Sequence, residues 1–248
     1  MRWLIDLPRT LITIVAGALA TLIAVALIAV IALFNDTSPA IDRIIRGWSR
    51  IWLIMSGTRL EVEGAVNIDP ARSYVVVANH LSVFDIMACL LAVPLPIRFL
   101  AKKELFKIPV LAQGMRLVGI IEVDREARGA VHAEVNRQSR KLIGKGRSLI
   151  IYAEGTRPRD GVMTRFKKGA FTMAIAARLP ILPLAIHGSY DAWPPGARLV
   201  RGGTIRVVLD KPIETEGLGH PDTGDLRDQV EEVIAGHVIA MGGAVERG

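Results

Sequence analysis

A histidine and an aspartate five residues apart, in the string Asn79-His80-Leu81-Ser82-Val83-Phe84-Asp85, are the first residues of this chain whose types and spacing suit chemistry. On one continuous helix they would sit about 140° apart and never meet. With His80 just ahead of the helix, the chain turn can bring its ring over the carboxylate. Asp85 then keeps one imidazole nitrogen protonated and leaves the other to take a proton from a hydroxyl. The plainer reading of the same spacing is a capping box, with Ser82 as N-cap and Asp85 three residues on. A second group is Tyr152-Ala153-Glu154-Gly155-Thr156-Arg157. Gly155 permits a turn or a close approach, and Arg157 offers a planar fork suited to phosphate. Downstream, Lys167-Lys168-Gly169 opens a helix whose first N–H groups favour an anion. Here the plainer readings are a surface Glu154–Arg157 ion pair and a solvated helix start. Gly119…Asp124-Arg125 closes a strand with an acid and an arginine, and Leu179-Pro180-Ile181-Leu182-Pro183-Leu184 is a strand start marked by prolines. His187 lies near the presumed site, whereas His132, His220 and His237 read as surface residues. No metal-ligand spacing is present, and no cofactor is expected.

These groups stand where short apolar runs end. Strands are expected at Arg59–Glu63, Tyr74–Ala78, Arg98–Ala101, Ile120–Val123, Leu149–Ala153, Ile181–Ile186 and Thr204–Leu209. Helices are expected at Val83–Leu91, Val110–Leu117, Arg128–Lys145, Lys167–Ala177 and Asp225–Met241. Such alternation over residues 58–248 predicts an α/β domain: a mixed, largely parallel sheet flanked by helices, with the site at the strand ends. The last strands follow one another without a helix, which predicts an antiparallel part.

Residues 1–57 differ in kind. Positions 11–34 are uncharged and almost wholly apolar, long enough to cross a hydrocarbon core, and too long for a signal peptide. A re-entrant hairpin fits the same pattern. Ser38-Pro39 then starts a helix over 39–56 that carries Ile41, Ile44, Ile45, Trp48, Ile51, Trp52 and Met55 on one stripe and Arg43, Arg46 and Arg50 on another. Such a helix lies in a membrane interface, packs on the globular domain, or does both. The core, beginning near Leu60, is expected to owe nothing to the apolar segment, so that removal of Met1–Asp36 leaves a folded chain. Arginines after the segment slightly outnumber those before it, which places the domain on the cytoplasmic side of the inner membrane. The net charge of +7 calls for an anionic partner, read as membrane lipid or a phosphorylated substrate, with no nucleic acid. Cys89 is the one cysteine, which excludes a disulfide framework and a cysteine metal site. No Gly-x-Ser-x-Gly elbow is present to support a serine hydrolase.

In order along the chain, His80/Asp85, Gly119…Arg125, Glu154-Gly155-Thr156-Arg157 and the Pro180/Pro183 segment resemble the four blocks of the glycerolipid acyltransferases. The similarity spans about Leu60 to Leu209 and is greatest to the bacterial 1-acyl-sn-glycerol-3-phosphate acyltransferases. Ala101-Lys102-Lys103-Glu104-Leu105 and Phe166-Lys167-Lys168-Gly169-Ala170 add to it. The resemblance implies acyl transfer from acyl-CoA or acyl carrier protein to the sn-2 hydroxyl of a lysophospholipid at the membrane, giving phosphatidic acid. It makes His80 the base and Asp85 its orienter. It gives Arg125, Glu154, Gly155, Thr156 and Arg157 to the glycerol phosphate, with Lys167 or Lys168 assisting. Two positions depart from the family pattern: Tyr152-Ala153 stands where Phe-Pro is usual, and Glu122 where an apolar or aromatic residue is common. Both leave the acceptor open, with lyso-ornithine lipid as an alternative. A membrane scaffold of the same fold without activity is a further alternative, and the intact His80/Asp85 pair speaks against it.

Overall fold

No side chain of Val75-Val76-Val77-Ala78 reaches solvent, and burial on both faces is what an uninterrupted β-branched run demands of a central parallel strand. The computed structural model describes residues 3–124 and 130–246. In chain order the helices are α1 (Trp3–Ala32), α2 (Pro39–Met55), α3 (Phe84–Ala92), α4 (Pro109–Val118), α5 (Ala130–Ile143), α6 (Gly169–Ala177), α7 (Ser189–Ala192) and α8 (Thr223–Ala240). The strands are β1 (Thr58–Glu63), β2 (Val75–Ala78), β3 (Ile97–Lys102), β4 (Ile121–Val123), β5 (Ser148–Tyr152), β6 (Val162–Met163), β7 (Ile181–His187), β8 (Gly203–Leu209) and β9 (Ala244–Val245). Among the described residues the main sheet has the order β1-β8-β7-β2-β5-β3-β4. The five strands β7, β2, β5, β3 and β4 are mutually parallel, so their C-terminal ends share one edge. The expected antiparallel part is the β7–β8 pair.

Alternate residues of β2 feed two cores. Val76 and Ala78 meet Phe84, Met87 and Ala88 of α3. Val75 and Val77 meet Phe171 and Ala174 of α6 and Leu226, Val230 and Ile234 of α8. Each large apolar side chain buried this way stabilises the fold by ~1.5–3 kcal/mol.

The N-terminal helices join the first of these faces. α1 begins at Trp3, two turns before the uncharged run, because its charges are satisfied. Arg9 pairs with Asp6 at 3.2 Å and also reaches the Arg201 carbonyl. Thr10, Thr13, Gly17, Ala20 and Ala24 recur every three or four residues and form its buried stripe. Small residues on that stripe allow close approach: a Cβ at Gly17 would overlap the Trp52 indole, and one at Gly114 of α4 would lie 2.6 Å from Val25. Hydrogen bonds cross the same contact, from Thr13 Oγ1 to the Met55 carbonyl (3.0 Å), from Trp48 Nε1 to Thr21 Oγ1 (2.9 Å) and from the Val200 amide to Thr10 Oγ1 (2.8 Å). The expectation that the core owes nothing to the apolar segment therefore does not hold. The outward face of α1 is apolar and exposed, with Leu11, Ile12, Val15, Leu19 and Ile23 on it. It is also the one helix among the described residues long and apolar enough to cross a membrane.

On α2, Ser38 caps the first turn by accepting from the Ala40 amide at 3.3 Å, with Pro39 at the first position. Part of its stripe turns inward: Ile41 is buried and Trp48 and Trp52 pack on the α3 core, while Ile51 and Met55 stay exposed. Arg46 is also used internally, donating to the carbonyls of Leu91, Val93 and Leu95 (3.4, 2.6 and 3.2 Å), where α3 ends. Arg43 and Arg50 stay exposed. Asp42 binds two buried guanidiniums, those of Arg98 and Arg147, and so ties α2 to the starts of β3 and β5.

Candidate active site

The parallel strands converge on one edge, and β2 delivers His80 there. Just beyond its last paired residue, the buried Asn79 amide donates to the Ile186 carbonyl and accepts from the Ile186 amide, both at 2.8 Å. It extends the ladder to β7 by one more step and fixes where the next residue stands. His80 Nδ1 lies 2.8 Å from Asp85 Oδ2. That oxygen also accepts from the amides of Leu81 (2.6 Å) and Ser82 (2.7 Å). Ser82 Oγ accepts from the Phe84 amide (3.3 Å) and donates to the Trp193 carbonyl (2.7 Å). The capping box with Ser82 as N-cap is not formed, because α3 begins at Phe84 after Val83 and Ser82 Oγ meets the Phe84 amide rather than that of Asp85. Asp85 Oδ2 instead ties the turn ahead of the helix with the same oxygen that meets His80. A carboxylate on Nδ1 places the ring proton there and leaves a lone pair on Nε2. The His80 side chain is 12% exposed and Asp85 fully buried, so the imidazole alone of the pair reaches the surface.

Glu154 follows β5 at the same edge, but its carboxylate turns inward. Oε1 accepts from the His80 amide at 2.7 Å, and Oε2 accepts from the amide and hydroxyl of Thr164, each at 2.9 Å. It braces the His80 turn against the far side of its own loop rather than facing a substrate. Burial pushes this carboxyl up to about 7, against the lowering pull of the Thr164 and His80 amides and with a further push from the Asp85 charge. The unfolded chain sheds this proton near 4.5, so between about 4.5 and 7 the folded protein holds a proton the unfolded one has lost. Stability therefore falls as pH rises through that window, by up to about 3 kcal/mol. Glu154→Gln should erase this component, and the melting temperature measured from pH 4.5 to 7 should flatten relative to wild type. A slope equal to that of wild type would show that Glu154 is not the group concerned.

The cations of the loop separate. Gly155 has φ +80°, and a Cβ there would come within 2.8 Å of Lys167 Nζ, so the lysine lies across the glycine. Thr156 and Arg157 are exposed, and the Arg157 charge is felt at the Tyr152 phenol beside His80. Lys168 instead runs toward the start of α8, where its Nζ lies 3.9 Å from a Cβ built on Gly224. α6 begins at Gly169, not at Lys167. Arg125 lies outside the described residues, and the preceding Asp124 pairs with Lys103 at 2.6 Å. His187 turns toward Gly243 on the α8 side. His237, read from the sequence as a bare surface residue, bonds Asp210.

Distant segments hold the loop. Val162–Met163 pairs with Ala244–Val245, Glu231 accepts from the Phe166 amide (2.7 Å), and Tyr190 donates to the Arg159 carbonyl (2.6 Å). None of these partners carries a local sequence signal. Tyr152 does stand inside a quoted motif: its ring stacks on the His80 imidazole at 3.8 Å and 9°. The arrangement is a base with a fixed tautomer at the mouth of a loop carrying an ammonium and a guanidinium, suited to taking a proton from a hydroxyl on an anionic molecule.

The family model described as Acyltransferase matches residues 59–187, which include His80, Asp85 and the loop. Over 174 residues the chain is 32% identical to human (Homo sapiens) 1-acyl-sn-glycerol-3-phosphate acyltransferase alpha, covering 70% of this chain and 62% of that protein. It thus spans about three-fifths of that relative's length. It is 30% identical over 196 residues to the 1-acyl-sn-glycerol-3-phosphate acyltransferase of Pseudomonas aeruginosa, covering 77% of this chain and 75% of that one. The crystal structure of the 1-acyl-sn-glycerophosphate (LPA) acyltransferase PlsC from Thermotoga maritima matches it with a TM-score of 0.85 at 26% identity, covering 100% of both chains. With the His80/Asp85 pair and the Glu154–Arg157 loop inside the matched span, the chain belongs to the acyltransferase family that these 1-acyl-sn-glycerol-3-phosphate acyltransferases share.

Proposed function

We propose that the protein transfers an acyl group from a thioester to the sn-2 hydroxyl of 1-acylglycerol-3-phosphate, giving phosphatidic acid. The observation that carries this reading is His80 Nδ1 bound to the buried Asp85 carboxylate, beside a loop bearing Arg157 and Lys167. The acceptor hydroxyl gives its proton to His80 Nε2 as its oxygen attacks the thioester carbonyl carbon. The tetrahedral intermediate collapses by breaking the C–S bond, and the imidazolium returns the proton to the departing sulfur. Asp85 stabilises the imidazolium between these steps. Arg157 and Lys167 hold the phosphate, and Arg125 joins them in this reading from its place in the motif. The donor is acyl-CoA or acyl carrier protein, whose thioester is already activated. The apolar face of α1 associates the enzyme with the membrane that contains its acceptor, on the cytoplasmic side of the inner membrane.

Purified protein given labelled acyl-CoA or acyl carrier protein and a panel of lysolipids tests the reading. Turnover should be greatest with 1-acylglycerol-3-phosphate, and equal turnover with a lyso-ornithine lipid would overturn the phosphate assignment. Arg157→Ala should raise KM for the phosphate acceptor by about 10–100-fold, the equivalent of one charge-assisted hydrogen bond, and change KM for the donor by less than about threefold. Equal changes for both substrates would remove Arg157 from the headgroup site.

A further inference from the structure

A single hydrogen bond at Nδ1 fixes one atom of the His80 ring but leaves its plane free to swing about the Nδ1···Oδ2 axis. A second contact closes that freedom. The Tyr152 ring lies face to face with the imidazole, centroids 3.8 Å apart and planes 9° from parallel. Tyr152 is itself held on three sides. It ends β5, paired with Ala78, two residues before His80. Its ring stacks on Phe99 of β3 at 6.0 Å and 25°. Its phenol oxygen is 3.8 Å from Cys89 Sγ. Cys89 is fully buried on α3, four residues after Asp85 and therefore on the same helix face. One helix thus anchors both the carboxylate that binds the edge of His80 and the ring that covers its face.

We infer that Tyr152 is a positioning residue for His80, setting the plane of the imidazole so that the Nε2 lone pair meets the acceptor hydroxyl and offering a π face to the imidazolium that forms. An aromatic face attracts a cation, so the stack strengthens at the moment the base takes its proton. Burial keeps the phenol well above its ordinary range, which leaves the hydroxyl as a neutral anchor to Cys89 and not a competing acid. Phenylalanine at this position would keep the face and lose the anchor, whereas leucine would lose both.

The inference rests on His80 acting as the base of the proposed transfer, and the test separates the two. In the wild-type protein without substrates, ring-current shielding should place the carbon-bound ring protons of His80 upfield of those of the other four histidines. The displacement should persist in Tyr152→Phe and vanish in Tyr152→Leu. In turnover, Tyr152→Leu should lower kcat by about 10–100-fold with both KM values within about threefold, the scale of a misaligned reacting group. The acid limb of its kcat/KM profile should move down by roughly half a pH unit as the imidazolium loses its aromatic face. Tyr152→Phe should lose about threefold in kcat, from a looser ring, and keep the acid limb in place. A purely space-filling role predicts a lower melting temperature and a lower kcat with an unmoved acid limb, and that result overturns the inference. So does an unshielded His80 in the wild type, which needs no variant to fold. A shielded His80 in a protein with no acyl transfer to any lysolipid would instead sink the proposed function and leave the stack intact.

Discussion

His80→Ala removes acyl transfer, with turnover falling at least ~100-fold and toward 10⁴-fold, the range a positioned general base supplies. A variant that kept more than about a tenth of wild-type turnover would show that the proton goes elsewhere. Asp85→Asn is the sharper companion, because Asp85 holds two jobs on one oxygen. Oδ2 takes the His80 ring and the Leu81 and Ser82 amides, while Oδ1 is buried with no hydrogen-bond partner among the described residues. An asparagine that puts its oxygen in the Oδ2 place still accepts both amides. Its NH2 group takes the Oδ1 side as one buried donor without an acceptor among the described residues, at a cost of about 1–3 kcal/mol. The turn ahead of α3 keeps its bonds and the fold survives. What disappears is the negative charge facing the imidazolium, so kcat should fall by about 10²–10⁴ while the melting temperature changes by only a few degrees. Asp85→Ala should differ by also unfolding easily, since two buried amides then lack an acceptor at ~1–3 kcal/mol each. If Asp85→Asn alone denatures the protein, holding that turn is the principal role of this residue.

The contrast between Asp85 and Glu154 shows what a sequence can carry. The contact of Asp85 with His80 is legible in the sequence because its partners, His80 and the Leu81 and Ser82 amides, lie within five residues, and a short turn leaves few ways to arrange them. The strands are equally legible: Val75-Val76-Val77-Ala78 admits only a strand buried on both faces, and Ser38-Pro39 only a helix start. Glu154 looks like a loop carboxylate in the sequence, yet its direction is decided by Thr164 and by an amide 74 residues away. Lys167 and Lys168 are indistinguishable as neighbours until the α6 start turns one over Gly155 and the other toward α8. Trp48 and Trp52 form the same stripe whether they face lipid or protein. The small residues of α1 opposite them supply part of that cover, and hydropathy does not set them apart within an apolar run. Periodicity reports that a face is apolar; it does not report what covers it.

Removing Met1–Asp36 should therefore yield no folded, monodisperse domain, reversing what the sequence leads one to expect. Without α1 the Trp48 and Trp52 faces of α2 and the Gly114 face of α4 lose their cover, and an apolar strip opens along the first core. The Val200 amide loses Thr10 and the Trp48 indole loses Thr21, leaving two donors without their partners. Truncation removes every contact of α1 at once, so a graded variant is the better measurement. Gly17→Leu places a side chain where the Trp52 indole already lies and wedges α1 from α2. Overpacking of this kind destabilises by about 1–3 kcal/mol or more, which for a chain of this size lowers the melting temperature by about 2–12 °C. Gly47→Ala on α2, with nothing near its Cβ position, should leave the melting temperature unchanged or raise it slightly, since alanine suits a helix better. Thermal unfolding of both variants in the same detergent decides the matter. If Gly17→Leu melts with the wild type, α1 is a tether lying loosely on the domain. If it melts early and also loses turnover in proportion to the unfolded fraction, the membrane helix is a structural layer of the enzyme.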